Sequence, residues 1–96
     1  MNATKGFIPN PNFSQVTSAM TGTITMKKGT GASVNVAGWK AIRIVPTALS
    51  SYYYNTDTTK TYPLPANIET LIHIGSSYVT QVVLVLGAAT ASVQGM

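Results

Sequence analysis

The sequence predicts an all-β chain: an antiparallel β-sandwich, jelly-roll-like or Ig-like, of seven to eight short strands with an extended N-terminal arm. The first indication is residues 78–86, which hold four valines; β-branched side chains fit a pleated strand and lose rotamer freedom in a helix. The second is a series of short alternating segments separated by turn residues. The third is composition, because 14 threonines and 8 serines supply much of the polar surface while 8% of residues are charged. We therefore expect the arm in residues 1–20 and the sandwich in residues 21–96.

Chain length, net charge and the lack of cysteine limit the functions that this protein can have. A chain of 96 residues, 45% of them apolar, can form one small core, and oligomerisation would add to its stability. The net charge of +4 comes from cations that are spread along the sequence rather than clustered with aromatic residues. We therefore expect no direct nucleic-acid contact and a weak attraction to an acidic partner surface. The sequence has no cysteine, which excludes disulfides and thiolate metal sites.

Two segments bear on where in the cell the protein is located. Residues 1–12 contain one lysine and two prolines but no apolar run typical of a signal peptide, so we expect a protein made and kept in the cytoplasm. Residues 71–91 carry no formal charge when His73 is neutral, and they are long enough to span a bilayer. Because residues 75–77 (Gly-Ser-Ser) divide them into two β-branched halves, a strand, a turn and a second strand explain this segment without a membrane.

The N-terminal arm is predicted from its prolines. Pro9 and Pro11 prevent regular ladder hydrogen bonds, so we expect this segment to be extended. The apolar side chains of Phe7, Ile8 and Phe13 need a groove, which either the parent domain or a neighbouring subunit would supply.

The first half of the domain predicts three strands. Residues 21–27 alternate threonine with glycine, isoleucine and methionine, the period-two pattern of a strand with one wet and one dry face. Residues 29–31, Gly-Thr-Gly, predict a turn into residues 32–36, so that the two strands form a hairpin. Residues 39–45 predict the third strand, which Pro46 ends.

The second half predicts the remaining strands. Residues 50–55 form an aromatic strand before a polar turn, and two prolines place residues 61–65 at an edge or in a connection. Residues 68–74 alternate isoleucine and threonine with glutamate, leucine and histidine. Residues 78–86 are expected to form a central strand buried on both faces, and a glycine then leads to a last strand near residues 89–94.

The sequence supplies little for catalysis. The groups suited to proton transfer are His73, Asp57 and Glu69, and a histidine between two isoleucines of a strand is typical of a structural or rim position. One histidine and two separated carboxylates also make a poor transition-metal set. Residues 28–33 faintly resemble a phosphate loop, but no lysine follows the second glycine and a strand, not a helix, comes next. We therefore predict a protein that is not an enzyme, with no catalytic residue, metal or cofactor.

Tyrosines are the best candidates for binding. Tyr52 and Tyr54 would share one strand face, with Lys60 across the following turn. Such rings can stack on sugars or bases. They also stabilise cross-strand packing and are favoured at protein interfaces. The residues alone leave all of these roles open.

Three stretches together resemble a known family: residues 34–44 (VNVAGWKAIRI), residues 52–55 (YYYN) and residues 62–68 (YPLPANI). They contain a strand with a small-residue turn, an aromatic strand, and a proline and small residue before an apolar strand. This combination is similar to that of small all-β accessory structural proteins of tailed bacteriophage virions. The likeness spans residues 21–96.

The resemblance implies a non-enzymatic capsid decoration (cement) protein, which would bind the major capsid protein or another virion protein and stabilise the phage head. It implies a homo-oligomer, with a trimer favoured, located in the virion after assembly in the host cytoplasm. A tail, collar or fibre-base component and a small carbohydrate-binding module for host recognition are the alternatives. The predicted interface consists of arm anchors and tyrosines: Phe7, Ile8, Phe13, Tyr52, Tyr54 and Tyr62.

Overall fold

The computed structural model describes residue 16 and residues 19–96 of the chain. Within this part every regular element is a strand and no helix occurs, which confirms the all-β prediction. The strands are β1 (Ala19–Lys27), β2 (Val34–Asn35), β3 (Ala41–Pro46), β4 (Ser50–Tyr54), β5 (Tyr62–Leu64), β6 (Thr70–His73) and β7 (Gln81–Gly95).

The predicted arm lies outside the described residues except for residues 16, 19 and 20, and its anchors Phe7, Ile8 and Phe13 also lie outside them. Ala19 and Met20, which the sequence assigned to the arm, belong to β1. The first strand therefore begins earlier than the alternation from residue 21 predicts.

The long strand β7 organises a single seven-stranded sheet within the described residues. One edge of β7 pairs with β1. The other edge pairs first with β4, where Tyr54 lies opposite Val82, and then with β3, where Ile42 lies opposite Gly95. The strand order is β2-β1-β7-β3-β6, and β5 extends the sheet beyond β4. The two halves of β7 therefore have different neighbours along one edge.

A β-bulge separates these two halves. Thr23 lies opposite Val85, whereas Thr21 lies opposite Thr90, so β7 has extra residues at this point. Gly87 lies among them with a left-handed φ of 60°, which a glycine adopts at little cost. The Thr21 hydroxyl, 3.1 Å from the Gly87 carbonyl oxygen, binds the bulge to β1. The prediction of two separate strands around this glycine is therefore wrong, because β7 continues through the bulge.

The hairpin predicted for residues 21–36 is also wrong, because β1 and β2 run parallel. Gly29 and Gly31 adopt positive φ angles of 135° and 81°, and the Val36 amide donates to the Lys27 carbonyl oxygen at 2.9 Å. The connection therefore makes a full loop, and β2 resumes the direction of β1. The other strand pairs of the described chain are antiparallel, so the sheet is mixed.

One hydrophobic core contains residues from both halves of β7. The inward-facing positions change from even numbers, such as Leu84, to odd numbers, such as Val93, because the bulge shifts the alternation. Ile42 and Ile44 of β3 are buried, as their spacing predicts. The buried cluster comprises Met26, Val36, Ile42, Ile44, Leu64, Ile72, Ile74, Val82, Leu84, Leu86, Ala91 and Val93.

The outer face of β7 is buried only in part. Val83 is 3% exposed, but Val85 on the same face is 38% exposed. Tyr78 lies before the strand, in the turn, and is 87% exposed, so the prediction that the central strand includes this residue is wrong.

Two breaks between strands lie where the sequence predicts them, at Pro46 and at residues 75–77. β3 ends at Pro46, although it begins at Ala41 and leaves Trp39 outside the strand. β6 ends at His73 and β7 begins at Gln81, so the predicted break at residues 75–77 is confirmed. No helix in the described part of the chain is long and apolar enough to cross a membrane.

Candidate interaction site

Three tyrosines form an aromatic group at the β4–β5 edge of the sheet. Tyr52 stacks on Tyr62 with ring centroids 5.3 Å apart and planes inclined by 29°. Tyr54 meets both rings edge-on, with a centroid separation of 5.7 Å in each case. We call Tyr52, Tyr54 and Tyr62 the tyrosine cluster. All three tyrosines of the predicted interface are thus in mutual contact.

Strand alternation and register explain this arrangement. Tyr52 and Tyr54 are two positions apart on β4, so both side chains leave the same face. Tyr62 lies directly opposite Tyr52 in the β4–β5 pair, the closest cross-strand position. On the other side, Tyr52 lies opposite Leu84 and Tyr54 lies opposite Val82, two fully buried residues of β7. The tyrosine cluster therefore continues the core outward to the sheet edge.

Exposure increases toward that edge. Tyr52 and Tyr54 are partly buried against the core, whereas Tyr62 is 40% exposed. Pro63 of β5 is also exposed, and a proline without an N–H is suited to an edge strand. The prediction that residues 61–65 lie at an edge or in a connection is thus resolved in favour of an edge strand. Tyr62 is therefore the most exposed residue of the tyrosine cluster.

The polar ends of the rings influence one another. The pKa of the Tyr52 hydroxyl is raised to about 12, mainly by burial and further by repulsion from Tyr54, a hydrogen bond with Tyr54 and repulsion from Tyr62. Tyr52 is therefore a neutral hydroxyl at physiological pH. It can both donate and accept a hydrogen bond at the rim of the aromatic group.

Asn55, to which the sequence pattern assigned no role of its own, fixes the turn beside the cluster. Its backbone is left-handed, with φ of 56°. Its side-chain Oδ1 accepts hydrogen bonds from the Thr80 amide at 2.8 Å and the Thr80 hydroxyl at 3.0 Å, and its Nδ2 donates to the Tyr78 carbonyl oxygen at 3.0 Å. The signal in the sequence is an asparagine directly after the strand, because asparagine tolerates this conformation better than most residues.

The residues considered for catalysis do not assemble. Among the described residues no three histidine or acidic side chains come together. Asp57 accepts hydrogen bonds from the hydroxyl and the amide of Thr59, and these two bonds hold the pKa of its carboxyl below the usual range. Glu69 lies 3.4 Å from Arg43 in a surface ion pair, and His73 is exposed on β6. Asp57, Glu69 and His73 therefore lie in separate turn and surface positions and do not form a common site.

The glycine loop after β1 is a connection between strands. Residues 28–33 lead into β2 rather than into a helix, so the geometry of a phosphate loop is not present there. Lys60 is exposed in the turn between β4 and β5, and its amide lies 3.4 Å from the Asp57 carbonyl oxygen.

No protein-family profile, curated protein or solved structure matches this chain.

Proposed function

We propose that this chain is a non-enzymatic structural protein of a tailed-phage virion: a β-sandwich capsid decoration protein that binds the major capsid protein. The observation that carries the proposal is the tyrosine cluster, three rings packed at 5.3–5.7 Å on an edge of the sheet. Tyrosine combines a large apolar ring with a hydrogen-bonding tip and is enriched at the centres of protein interfaces.

Preorganisation supports the use of this edge for binding. Tyr62 contacts both other rings of the tyrosine cluster, so its orientation is set before a partner arrives. A side chain that is already ordered loses less conformational entropy on binding. A partner that covers Tyr62 would also extend the apolar surface that begins at Leu84 and Val82 in the core.

The proposed mechanism is a set of individually weak contacts repeated over a symmetric shell. A homo-oligomer, such as a trimer, would present several copies of the tyrosine cluster and of the arm anchors Phe7, Ile8 and Phe13. Once one copy is bound, the others bind at a high effective concentration. The particle would thereby be stabilised although each single contact is modest.

Carbohydrate binding fits the ring geometry less well. Sugars stack on open ring faces, but Tyr52 is stacked on Tyr62 and also meets the edge of Tyr54. A sugar could use the outer face of Tyr62, but no flat platform of several rings is available in the tyrosine cluster. A protein surface that packs around the cluster matches this shape better.

Binding to capsid shells tests the proposal. Shells that lack this chain, assembled from the coat protein of the phage that encodes it, would be titrated with the full-length protein. We expect Tyr62→Ala to weaken binding about ten-fold, a loss typical of an aromatic interface residue. Tyr78→Ala is the matched control, because Tyr78 is 87% exposed and makes no ring contact within the described chain.

The control should bind as the unmodified protein does, and circular dichroism should show both variants folded. Equal affinity of Tyr62→Ala and the unmodified protein would exclude the tyrosine cluster from the interface. Binding to a glycan array, lost in Tyr62→Ala, would instead favour host recognition.

The number of copies per virion tests the location separately. A copy number comparable to that of the coat protein supports decoration of the head. A number set by tail symmetry would support a tail, collar or fibre-base component. Absence of the chain from purified virions would overturn the proposal of a virion protein.

A further inference from the structure

A second surface feature lies away from the tyrosine cluster. It is a cleft of about 430 Å³ lined by Lys28, Gly38, Trp39, Lys40 and Gly75. We call it the lysine–tryptophan cleft. Its volume is within the range of small binding sites, roughly 300–1,000 Å³. Two lysines, one tryptophan and two glycines therefore surround it, and its lining residues are cationic and aromatic.

Lys28 is oriented by two hydrogen bonds to the segment that follows Gly75, another lining residue of the cleft. Its Nζ donates a hydrogen bond to the Ser76 carbonyl oxygen at 3.1 Å, and its backbone amide donates to the Thr80 carbonyl oxygen at 3.0 Å. One of the three ammonium protons is therefore used within the protein, and two stay available to a ligand.

Lys40 is fixed by its backbone. Its amide donates to the Met96 oxygen at 2.7 Å, and its carbonyl oxygen accepts from the Ile74 amide at 2.9 Å. No hydrogen bond or ion pair joins the Lys40 side chain to another group in the part of the chain that the structure describes. Lys40 therefore lines the cleft with a fixed backbone, and its ammonium group has no partner among the described residues.

Trp39 forms the aromatic wall. A Cβ atom built on Gly95 would lie 2.1 Å from the Trp39 ring, so the indole packs directly on the backbone of β7. A turn positions it, because the Trp39 amide donates to the Val36 carbonyl oxygen at 3.0 Å and Gly38 adopts φ of 85°. The ring therefore has one face against the protein.

The charges of the cleft select an anionic ligand. No acidic side chain is among its lining residues. The acidic groups of the described chain, Asp57 and Glu69, are engaged elsewhere, with Thr59 and Arg43 respectively. An anion placed in the cleft would therefore meet two lysines and no acidic side chain among the lining residues. Such a charge arrangement favours complementary partners and raises their association rate.

We propose that the lysine–tryptophan cleft binds the carboxylate groups of an acidic segment of a partner protein. Two lysines at one cleft match one or two carboxylates, and the indole packs against the aliphatic part of an aspartate or glutamate side chain. A nucleic acid fits less well, because binding to its backbone normally uses several phosphate contacts and successive bases stack on several rings, whereas the cleft has one indole. The inference uses residues separate from the tyrosine cluster and stands independently of the virion role.

The experiment uses the fluorescence of Trp39, which is the single tryptophan of the chain. The full-length protein would be titrated with an end-capped hexaglutamate peptide, a hexaserine peptide of the same length and a short oligothymidylate. We expect hexaglutamate to change the emission saturably and hexaserine to have no effect. Added salt should weaken the hexaglutamate complex, because the ion pairs are partly exposed.

Charge-removing variants locate the site. Lys28→Gln and Lys40→Gln should each weaken hexaglutamate binding about five-fold, as expected for loss of one surface ion pair. Lys60→Gln is the matched control, because Lys60 is an exposed lysine that does not line the cleft; its affinity should equal that of the unmodified protein.

Three results would overturn the inference. One is no saturable response to hexaglutamate. Another is tighter binding of oligothymidylate than of hexaglutamate, which would assign the cleft to nucleic acid. The third is an equal loss of affinity in Lys60→Gln and the two cleft variants, which would indicate general charge attraction without a site.

Discussion

The two halves of β7 both contribute to the core, but they do so with side chains of different size. Residues 81–86 are mostly valine and leucine, whereas residues 88–95 are mostly alanine, serine, threonine and glycine. In the first half Val82, Val83 and Leu84 bury both faces of the strand. In the second half Ala91 and Val93 face the core, and the other face is largely exposed.

This difference determines what each half supports. The large residues of the first half fill the core themselves, and the tyrosine cluster extends that apolar surface to the sheet edge. The small residues of the second half leave space, and at Gly95 the Trp39 ring occupies it. The first half should therefore be sensitive to charge, and the end of the second half should be sensitive to added volume.

The largest expected effect comes from a charge on the outer face of the first half. Val83→Asp would place a carboxylate at a site that is 3% exposed, and burial of an unpaired charge is strongly unfavourable. We expect a loss of about 4 kcal/mol or more in the free energy of unfolding. A small domain has only about 5–15 kcal/mol in total, so this variant should be largely unfolded or insoluble.

Val85→Asp is the matched control, on the same strand and the same face but 38% exposed. It should fold and lose about 1 kcal/mol, mainly through the poor strand propensity of aspartate. Urea unfolding followed by circular dichroism would compare the two. A soluble, folded Val83→Asp with the stability of Val85→Asp would show that the outer face of the first half is not buried.

A smaller effect is expected from added volume in the second half. In Gly95→Ala the new methyl group would lie 2.1 Å from the Trp39 ring, so the ring must move. Overpacking of this kind should lower the free energy of unfolding by about 2 kcal/mol. Displacement toward water should also shift the Trp39 emission to longer wavelength.

Gly75→Ala provides the comparison for this variant. Its new methyl group would meet the Lys40 Cα at 3.6 Å, an ordinary contact, so we expect a change within about 0.5 kcal/mol. Thermal unfolding and tryptophan emission spectra would measure both variants. Unchanged emission and stability in Gly95→Ala would contradict close packing of Trp39 on β7.

Local patterns predicted the strands better than their connections. The alternation of residues 21–27 and the proline at residue 46 identify β1 and the end of β3 because side-chain direction and a missing N–H are local properties. A glycine with positive φ, by contrast, is compatible with several paths. At Gly29 and Gly31 it permits a full loop as well as a hairpin, and at Gly87 it permits a bulge as well as a turn.

The sequence likewise predicted the tyrosine cluster only in part: it predicted the contacts within one strand but not those between strands. The shared face of Tyr52 and Tyr54 follows from a spacing of two on one strand. The stack of Tyr62 on Tyr52 depends on the β4–β5 register, which the two separate segments do not specify. The packing of Trp39 on Gly95 joins residues distant in sequence, and no local pattern contains that contact.

The last predicted effect is confined to alkaline solution and concerns the tyrosine cluster beside the first half of β7. Folding raises the pKa of Tyr52 from 10.0 to about 12, chiefly through burial. In alkaline solution the unfolded chain loses this proton first, so the folded protein holds more protons between pH 10 and about 12. The resulting contribution to stability is fully present below pH 10 and is lost as pH rises through that window.

Tyr52→Phe removes the titrating hydroxyl and keeps the ring, so it isolates this contribution. The midpoint of thermal unfolding of the unmodified protein should fall more steeply with pH above 10 than that of Tyr52→Phe, because only the former contains the raised pKa of Tyr52. Tyrosinate absorbance during the same titration would give the pKa directly. Parallel slopes for the two proteins would show that Tyr52 does not couple ionisation to folding and that burial does not hold its hydroxyl in the neutral form.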